Sequence, residues 1–387
     1  MAFLKDIIEK PITGEWGTDG DSVSILRTTN FTNSGVLNLM NVVKRNVSKR
    51  KVDQKRLMKG DIIIEKSGGS PKQPVGRVVF FKEEGVYLCN NFTSILRPKK
   101  DKVEPKYLHY LLYGSHRFGV TGMFQNKTTG IINLQLPRYI NKLQIPLPPL
   151  KTQQRIAGIL DDAAALRDKT AQLLIEYDLL AQSVFLEMFG DVVSNPKGLE
   201  IRKLGDLGKW QSGGTPSRSI TAYYDGKIPW LSSGELNEMY ISDSKEHITE
   251  KALKESSTKL VPKGSLLLGM YDTAALKSTI NTIDLACNQA IAFGVLDPEL
   301  INIVYAYYII QIGKDHYKRL QRGARQQNLN LSLVKAIKIL YSPLELQNEF
   351  ADKIALIEQQ KALAKQELQQ SEDLFNCLLQ QAFMGEL

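Results

Sequence analysis

The sequence predicts an α+β protein: two homologous mixed α/β domains, each followed by a long helix, with the two helices paired. Three observations lead there. The chain repeats itself. Each half opens with short β-forming runs separated by glycine-rich turns. Each half closes on a proline-marked stop followed by a long segment with an apolar heptad seam. The chain has 387 residues, room for two or three domains at roughly 150 residues each.

The repeat is read from five short matches in the same order, each pair separated by roughly 200 residues. Leu4-Lys-Asp-Ile7 resembles Leu204-Gly-Asp-Leu207, and Lys59-Gly-Asp-Ile-Ile-Ile64 resembles Lys263-Gly-Ser-Leu-Leu-Leu268. Leu88-Cys-Asn-Asn91 matches Ala286-Cys-Asn-Gln289, and Tyr107-Leu-His-Tyr-Leu-Leu112 matches Tyr305-Ala-Tyr-Tyr-Ile-Ile310. Finally, Pro149-Leu-Lys-Thr-Gln153 matches Pro343-Leu-Glu-Leu-Gln347. The boundaries that follow are 1–149 for a first domain, 150–190 for a central helix, 191–343 for a linker and second domain, and 344–387 for a C-terminal helix.

Within the first domain, Ser24-Ile-Leu26, Asp61-Ile-Ile-Ile-Glu65 and Arg77-Val-Val-Phe-Phe81 read as strands. Ser67-Gly-Gly-Ser70 reads as a turn, as does Gln211-Ser-Gly-Gly-Thr-Pro216 in the second domain. A short amphipathic helix is predicted from Pro105 to Tyr113, with its copy from Ile303 to Ile312.

In Pro146-Leu-Pro-Pro-Leu150 the prolines stop what precedes, and a proline-free segment begins. Its seam runs Ile156, Leu160, Ala163, Leu174, Tyr177, Val184. The second copy runs Phe350, Ile354, Ile357, Leu368, Phe375, Leu378. Both place one cation, Arg167 or Lys361, at the same interior position. A helix of ~40 residues is about 60 Å long, too long for burial inside one small domain, so its twin is the natural partner. The first helix has a second apolar column, Ile159, Leu166, Leu173 and Leu180, where the equivalent positions of the other helix are Lys353, Gln360, Glu367 and Leu374. It serves either as a docking surface for another protein or as packing against the domains.

Lys plus Arg number 50 against 41 Asp plus Glu, a net charge of +9. That excess suits a polyanionic partner, most simply nucleic acid, or marks only a basic globular protein. Cys89, Cys287 and Cys377 are isolated, and His109, His116, His247 and His316 are scattered, so neither a disulfide framework nor a zinc site is expected. The N-terminal MAFLKDIIEK lacks the apolar core of a signal peptide, and no run reaches the ~18 apolar residues of a membrane span, which makes the cytoplasm the expected location. There is no P-loop, no G-x-S-x-G elbow and no methyl-donor glycine loop. Asp61 and Glu65-Lys66 superficially suggest a nuclease cluster, but the copy has Ser265, Gly269 and Met270 there. The chain reads as a binder with no catalytic, cofactor or metal site of its own.

Three segments are candidates for phosphate or base contact. The first is the run Val43 to Val52, with Lys44, Arg45, Lys49, Arg50 and Lys51, which is otherwise a solvated charged loop. The second is Gly122 to Gly130, with Gln125, Asn126, Lys127 and Thr128, and its counterpart with Arg322, Arg325, Gln326 and Gln327. The third is the loop Ser212 to Arg218, where glycines permit close backbone approach and Arg218 supplies a cation.

Taken together, several stretches resemble the specificity subunits of type I restriction–modification systems over essentially the full length. They are Ile145-Pro-Leu-Pro-Pro-Leu-Lys-Thr-Gln-Gln-Arg-Ile156, Gly213-Gly-Thr-Pro-Ser-Arg218, Gly226-Lys-Ile-Pro-Trp-Leu-Ser-Ser-Gly-Glu235, Gln327-Asn-Leu-Asn-Leu-Ser332 and Pro343-Leu-Glu-Leu-Gln347. The resemblance implies two target recognition domains separated by a long antiparallel two-helix coiled coil. Each domain would read one half of a split sequence in double-stranded DNA, and the helices would set the unread gap. It also implies recruitment of modification subunits, usually two, that methylate adenine with S-adenosylmethionine. Restriction subunits would add ATP- and Mg-dependent translocation and cleavage. The first domain departs from the pattern: Glu9-Lys-Pro-Ile-Thr-Gly-Glu-Trp16 and Ser24-Ile-Leu-Arg-Thr-Thr29 stand where the second has its Gly-Gly-Thr-Pro and Ile-Pro-Trp motifs. Differing readers imply an asymmetric target.

Overall fold

The computed structural model describes residues 1–70, 73–128, 131–271, 274–320 and 328–387. They form two compact units: residues 1–171 with 366–387, and residues 172–365.

In the first unit, the apolar run Ile62–Glu65 becomes a strand buried along its whole length. It sits inside a four-stranded antiparallel sheet in the order Ile12–Thr13, Thr93–Leu96, Ile62–Glu65, Val78–Phe80. A second sheet pairs the long strand Thr18–Leu26 antiparallel with Val43–Asn46 and parallel with Tyr87–Cys89. A two-residue ribbon, Ala2–Phe3 with Gln144–Ile145, ties the start of the domain to its end. Ser67–Gly69 corrects the expectation of a plain turn: it is a strand against Ile131–Leu134, which in turn pairs with Gln125–Thr128. Backbone groups that periodicity leaves unassigned find partners there.

The second unit repeats this plan. Gly208–Ser212, Ile291–Leu296, Leu266–Gly269 and Ser278–Asn281 form the counterpart sheet, with Tyr240–Ile241 added at its edge. The long strand Tyr224–Leu231 again has one antiparallel neighbour, His247–Ile248, and one parallel neighbour, Leu285–Cys287. Glu200–Lys203 with Lys338–Tyr341 repeats the closing ribbon. Cys89 and Cys287 occupy the same buried strand end in the two domains, whereas Cys377 is exposed.

The short helices are Pro105–Arg117, with proline in its first turn, and Ile303–Ile312. The long ones are Leu150–Phe189 and Leu344–Met384. Each long helix stops at a glycine in the left-handed region, Gly190 at φ 81° and Gly385 at φ 80°, where a side chain would be strained. In the first unit Ile156, Leu160 and Ala163 share a core with Phe375, Leu379 and Ala382. In the second unit Ala181, Phe185 and Phe189 share a core with Phe350, Ile354 and Ile357. The start of each long helix thus packs on the end of the other, so the pair is antiparallel.

Of the seam, Ile156, Leu160, Ala163, Phe350, Ile354, Ile357 and Phe375 are buried, and Leu174, Tyr177, Val184, Leu368 and Leu378 are half-buried. The interior cations are satisfied differently. Lys361 bridges Asp178 at 2.8 Å and Glu358 at 2.7 Å. Arg167 pairs with Asp168 at 2.7 Å and lies over the Phe375 ring at 4.8 Å. In the second apolar column Leu166 and Leu180 remain exposed.

The proline stop is a hydrogen-bonded joint. Gln153, 1 % exposed, accepts from the Glu104 amide at 2.9 Å and donates to the carbonyls of Pro148 at 2.7 Å and Lys102 at 3.2 Å. The Tyr107 hydroxyl donates to the Pro146 carbonyl at 3.1 Å. In the copy, buried Gln347 accepts from the Asn302 amide at 2.9 Å and donates to the Ser342 carbonyl at 2.7 Å. Tyr305 there donates to the Leu340 carbonyl at 2.7 Å. One amide side chain therefore fastens the first turn of each long helix to the start of the neighbouring short helix.

Candidate nucleic-acid interface

In the first domain the basic run divides between two elements. Lys44 and Arg45 lie on the strand Val43–Asn46, while Lys49, Arg50 and Lys51 open the helix Lys49–Lys55. Arg45 stands opposite Asp19 in the strand register, is ion-paired with it, and lies over the Trp16 ring at 4.3 Å. Such stacking keeps a guanidinium oriented. Lys51 and Lys55 both reach Glu15, at 3.2 and 2.9 Å, and the Lys55 contact leads in holding the Glu15 carboxyl below its usual range. Among the described residues Lys44, Lys49 and Arg50 have no carboxylate partner, and all three are exposed. The long strand carries a register shift between Asp19 and Val23, a device that re-aims side chains at a sheet edge.

The second domain builds the same place from other residues. Its long strand shifts register between Tyr224 and Ile228. Arg218 lies 4.6 Å from the Tyr224 ring and 5.2 Å from the Trp230 ring, and its guanidinium meets Glu246 at 2.7 Å. Both rings also hold the loop: Trp230 donates to the Gly214 carbonyl at 3.0 Å and Tyr224 to the Pro216 carbonyl at 2.7 Å. The close approach that Gly213 and Gly214 permit is to the protein's own backbone. A Cβ on Gly213 would lie 2.2 Å from the Cys287 carbonyl oxygen, and one on Gly214 would lie 2.5 Å from that of Ser257.

Gln125 donates to the Val75 carbonyl at 2.8 Å, and Asn126 is exposed on the same strand. Lys127 and Thr128 continue that strand, but their side chains lie outside the described residues, as do Arg322, Arg325, Gln326 and Gln327 altogether. Asp61 and Glu65 are structural. Asp61 takes two hydrogen bonds from Arg97, both 2.8 Å, and Glu65 takes two from Arg77 at 2.9 and 3.0 Å. Among the described residues no group of three or more His, Cys, Asp or Glu is placed to hold a metal ion.

Sequence reasoning selected the two arginines but not Trp16, Asp19, Tyr224, Trp230 or Glu246. A signal was present in Trp16, a tryptophan in a polar segment, and in Trp230 beside Pro229. The contacts themselves depend on strand register.

A family model described as "Type I restriction modification DNA specificity domain" matches twice, at residues 4–176 and 196–372. The chain is similar to the type I restriction enzyme EcoR124I/EcoR124II specificity subunit of Escherichia coli, 31 % identical over 179 residues, which is 44 % of this chain and 43 % of that protein. The chain thus spans less than half the length of that relative. It aligns more broadly with the type I restriction enzyme StySPI specificity subunit of Salmonella potsdam, 23 % identical over 95 % of this chain and 83 % of that one. The crystal structure of a type I restriction–modification system S subunit from M. genitalium shares the fold, with a TM-score of 0.58 at 16 % identity, covering 99 % of this chain and 95 % of that one. With the same two-sheet domain built twice and the family matched in both copies, this chain belongs to the type I restriction modification DNA specificity family.

Proposed function

We propose that this chain is the DNA-reading subunit of a type I restriction–modification complex, binding a split, asymmetric target in double-stranded DNA. The observation that carries this reading is the paired hairpin: one fold, built twice, presents an arginine on an aromatic shelf from different residues in each copy. Equal folds with unequal contact residues suit two unlike half-sites. Lys44, Lys49, Arg50 and Asn126 supply further exposed donors in the first domain, and phosphate contacts of this kind carry most of the affinity for a duplex. The net charge of +9 favours the same partner.

In this reading the chain makes and breaks no bonds. Modification subunits, two per chain, supply adenine methylation with S-adenosylmethionine, and restriction subunits supply ATP- and Mg-dependent cleavage. Exposed Leu166 and Leu180 on the central helix, with Leu356, Leu363 and Leu374 on the C-terminal one, support docking of such subunits on the helix pair. The paired helices act as the ruler between half-sites. The work is done in the cytoplasm, on the genome; among the described residues no helix is long and apolar enough to cross a membrane.

Methylome sequencing with the gene present and deleted tests the proposal. The expected result is one bipartite adenine-methylation motif that disappears on deletion. A methylome unchanged by deletion would remove the reading. Fluorescence anisotropy on mixed duplex DNA gives a second readout: binding that falls steeply with salt is expected, whereas no salt-sensitive binding would leave a structural coiled-coil adaptor.

A further inference from the structure

The two arginine shelves share a third member that DNA binding does not require. Each guanidinium is held by an exposed carboxylate: Arg45 by Asp19, 97 % exposed, and Arg218 by Glu246, 47 % exposed. An exposed ion pair contributes little to stability. A carboxylate at a surface meant for phosphate also repels that phosphate. Its presence at one site could be incidental, but both domains have it at the equivalent hairpin.

The two triads are assembled from opposite sides. In the first domain the arginine sits on the short strand Val43–Asn46, the carboxylate on the long strand, and the aromatic ring ahead of it. In the second domain the arginine lies ahead of the long strand Tyr224–Leu231, and the carboxylate immediately precedes the short strand His247–Ile248. Copying of one ancestral pair does not produce that inversion. The common element is the arrangement of ring, guanidinium and carboxylate at the bulged edge of the hairpin.

We propose that Asp19 and Glu246 are latches: each holds its arginine on the aromatic shelf against non-target duplex and yields it only to a well-placed acceptor of the target. The inference rests on the DNA-reading function proposed above. On random sequence the approaching phosphates meet a neutral pair, so neither arginine adds to counterion release. On the target, the fixed register brings a phosphate or a guanine edge to the guanidinium, which exchanges one acceptor for another. Specificity is a difference of affinities, and the latches lower the affinity for wrong sequences more than for the right one. Asp19 and Glu246 are then specificity-determining residues that need not touch a base.

The test uses the full chain, a labelled mixed-sequence duplex and a duplex carrying the motif mapped by methylome sequencing. Asp19→Asn and Glu246→Gln should each tighten binding to the mixed duplex about 3- to 10-fold, and steepen the slope of log K against log salt by about 0.9 where the freed cation takes a phosphate. Affinity for the target should change less, so the specificity ratio falls, and further in the double variant. Arg45→Gln and Arg218→Gln should weaken the target complex. If the carboxylate variants leave mixed-duplex affinity unchanged or weaker, or if the arginine variants leave target binding unchanged, the latch is wrong while DNA reading stands. If the wild-type chain shows no salt-sensitive binding to either duplex, the reading function fails and the latch with it.

Discussion

His109 is a buried base held neutral by its surroundings. It is 4 % exposed, lies among the rings of Phe80, Tyr110 and Tyr113 at 5.4 to 6.3 Å, and neither ring nitrogen has a hydrogen-bond partner of good geometry. Burial, aided by the nearby Lys106 ammonium, pushes its pKa down from 6.5 to about 3. Between those values the unfolded chain takes up a proton that the folded chain refuses. Stability is therefore full above pH 6.5 and declines as pH falls toward 3. We expect His109→Phe to flatten the fall of the melting temperature between pH 7 and 4; an unchanged slope would contradict this. Asp61 carries a different load, since its removal strands Arg97 beside the core. Asp61→Asn should cost about 3 kcal/mol in chemical denaturation; an unchanged midpoint would contradict this. At this scale the sequence is only half legible. Arginines and lysines announce themselves by charge, and so does an acidic cluster, but Asp61 and Glu65 serve the fold because Arg97 and Arg77 reach them across the sheet. Asp19 gains its meaning only from a register that places it opposite Arg45.

Among elements, the joints between short and long helices decide how firmly each domain is held to its helix. Gln153→Leu keeps the volume but leaves the Glu104 amide and the Lys102 and Pro148 carbonyls without their partner. Buried groups left unpaired in this way cost about 1–3 kcal/mol, so we expect a lower melting temperature for the first unit. Gln347→Leu should act on the second unit, through the Asn302 amide and Ser342 carbonyl. Two calorimetric transitions that shift separately would verify the assignment; no shift in either would refute it. The long helices were legible because nothing interrupts their apolar period. The joint was visible only as a repeated phrase, Pro-Leu and then Gln. Its partners lie far along the chain, 49 residues away for Glu104 and 45 for Asn302, and no local pattern reveals them. The strand Ser67–Gly69 escaped for a related reason: two glycines read as a turn until Ile131–Leu134 supplies the pairing.

For the whole chain, duplication was the most legible property, because short matches in a fixed order survive where side chains diverge. The hairpins were less legible, because Trp16, Asp19 and Arg45 in one domain and Arg218, Tyr224, Trp230 and Glu246 in the other do not align as a repeated phrase. If the paired helices act as a ruler, adding one heptad to each lengthens them by about 10 Å, or roughly three base pairs of duplex. Methylome sequencing of that variant should show the same half-site bases with a longer gap; altered bases with an unchanged gap would contradict the ruler. The three cysteines have a practical consequence. Burial pushes the Cys89 thiol up to about 11 and the Cys287 thiol to about 12, so both stay protonated and shielded at neutral pH. Cys377 alone is exposed. The native chain should therefore accept a maleimide fluorophore at a single position on its C-terminal helix, ready to report by energy transfer on a labelled duplex without a substitution anywhere in the sequence.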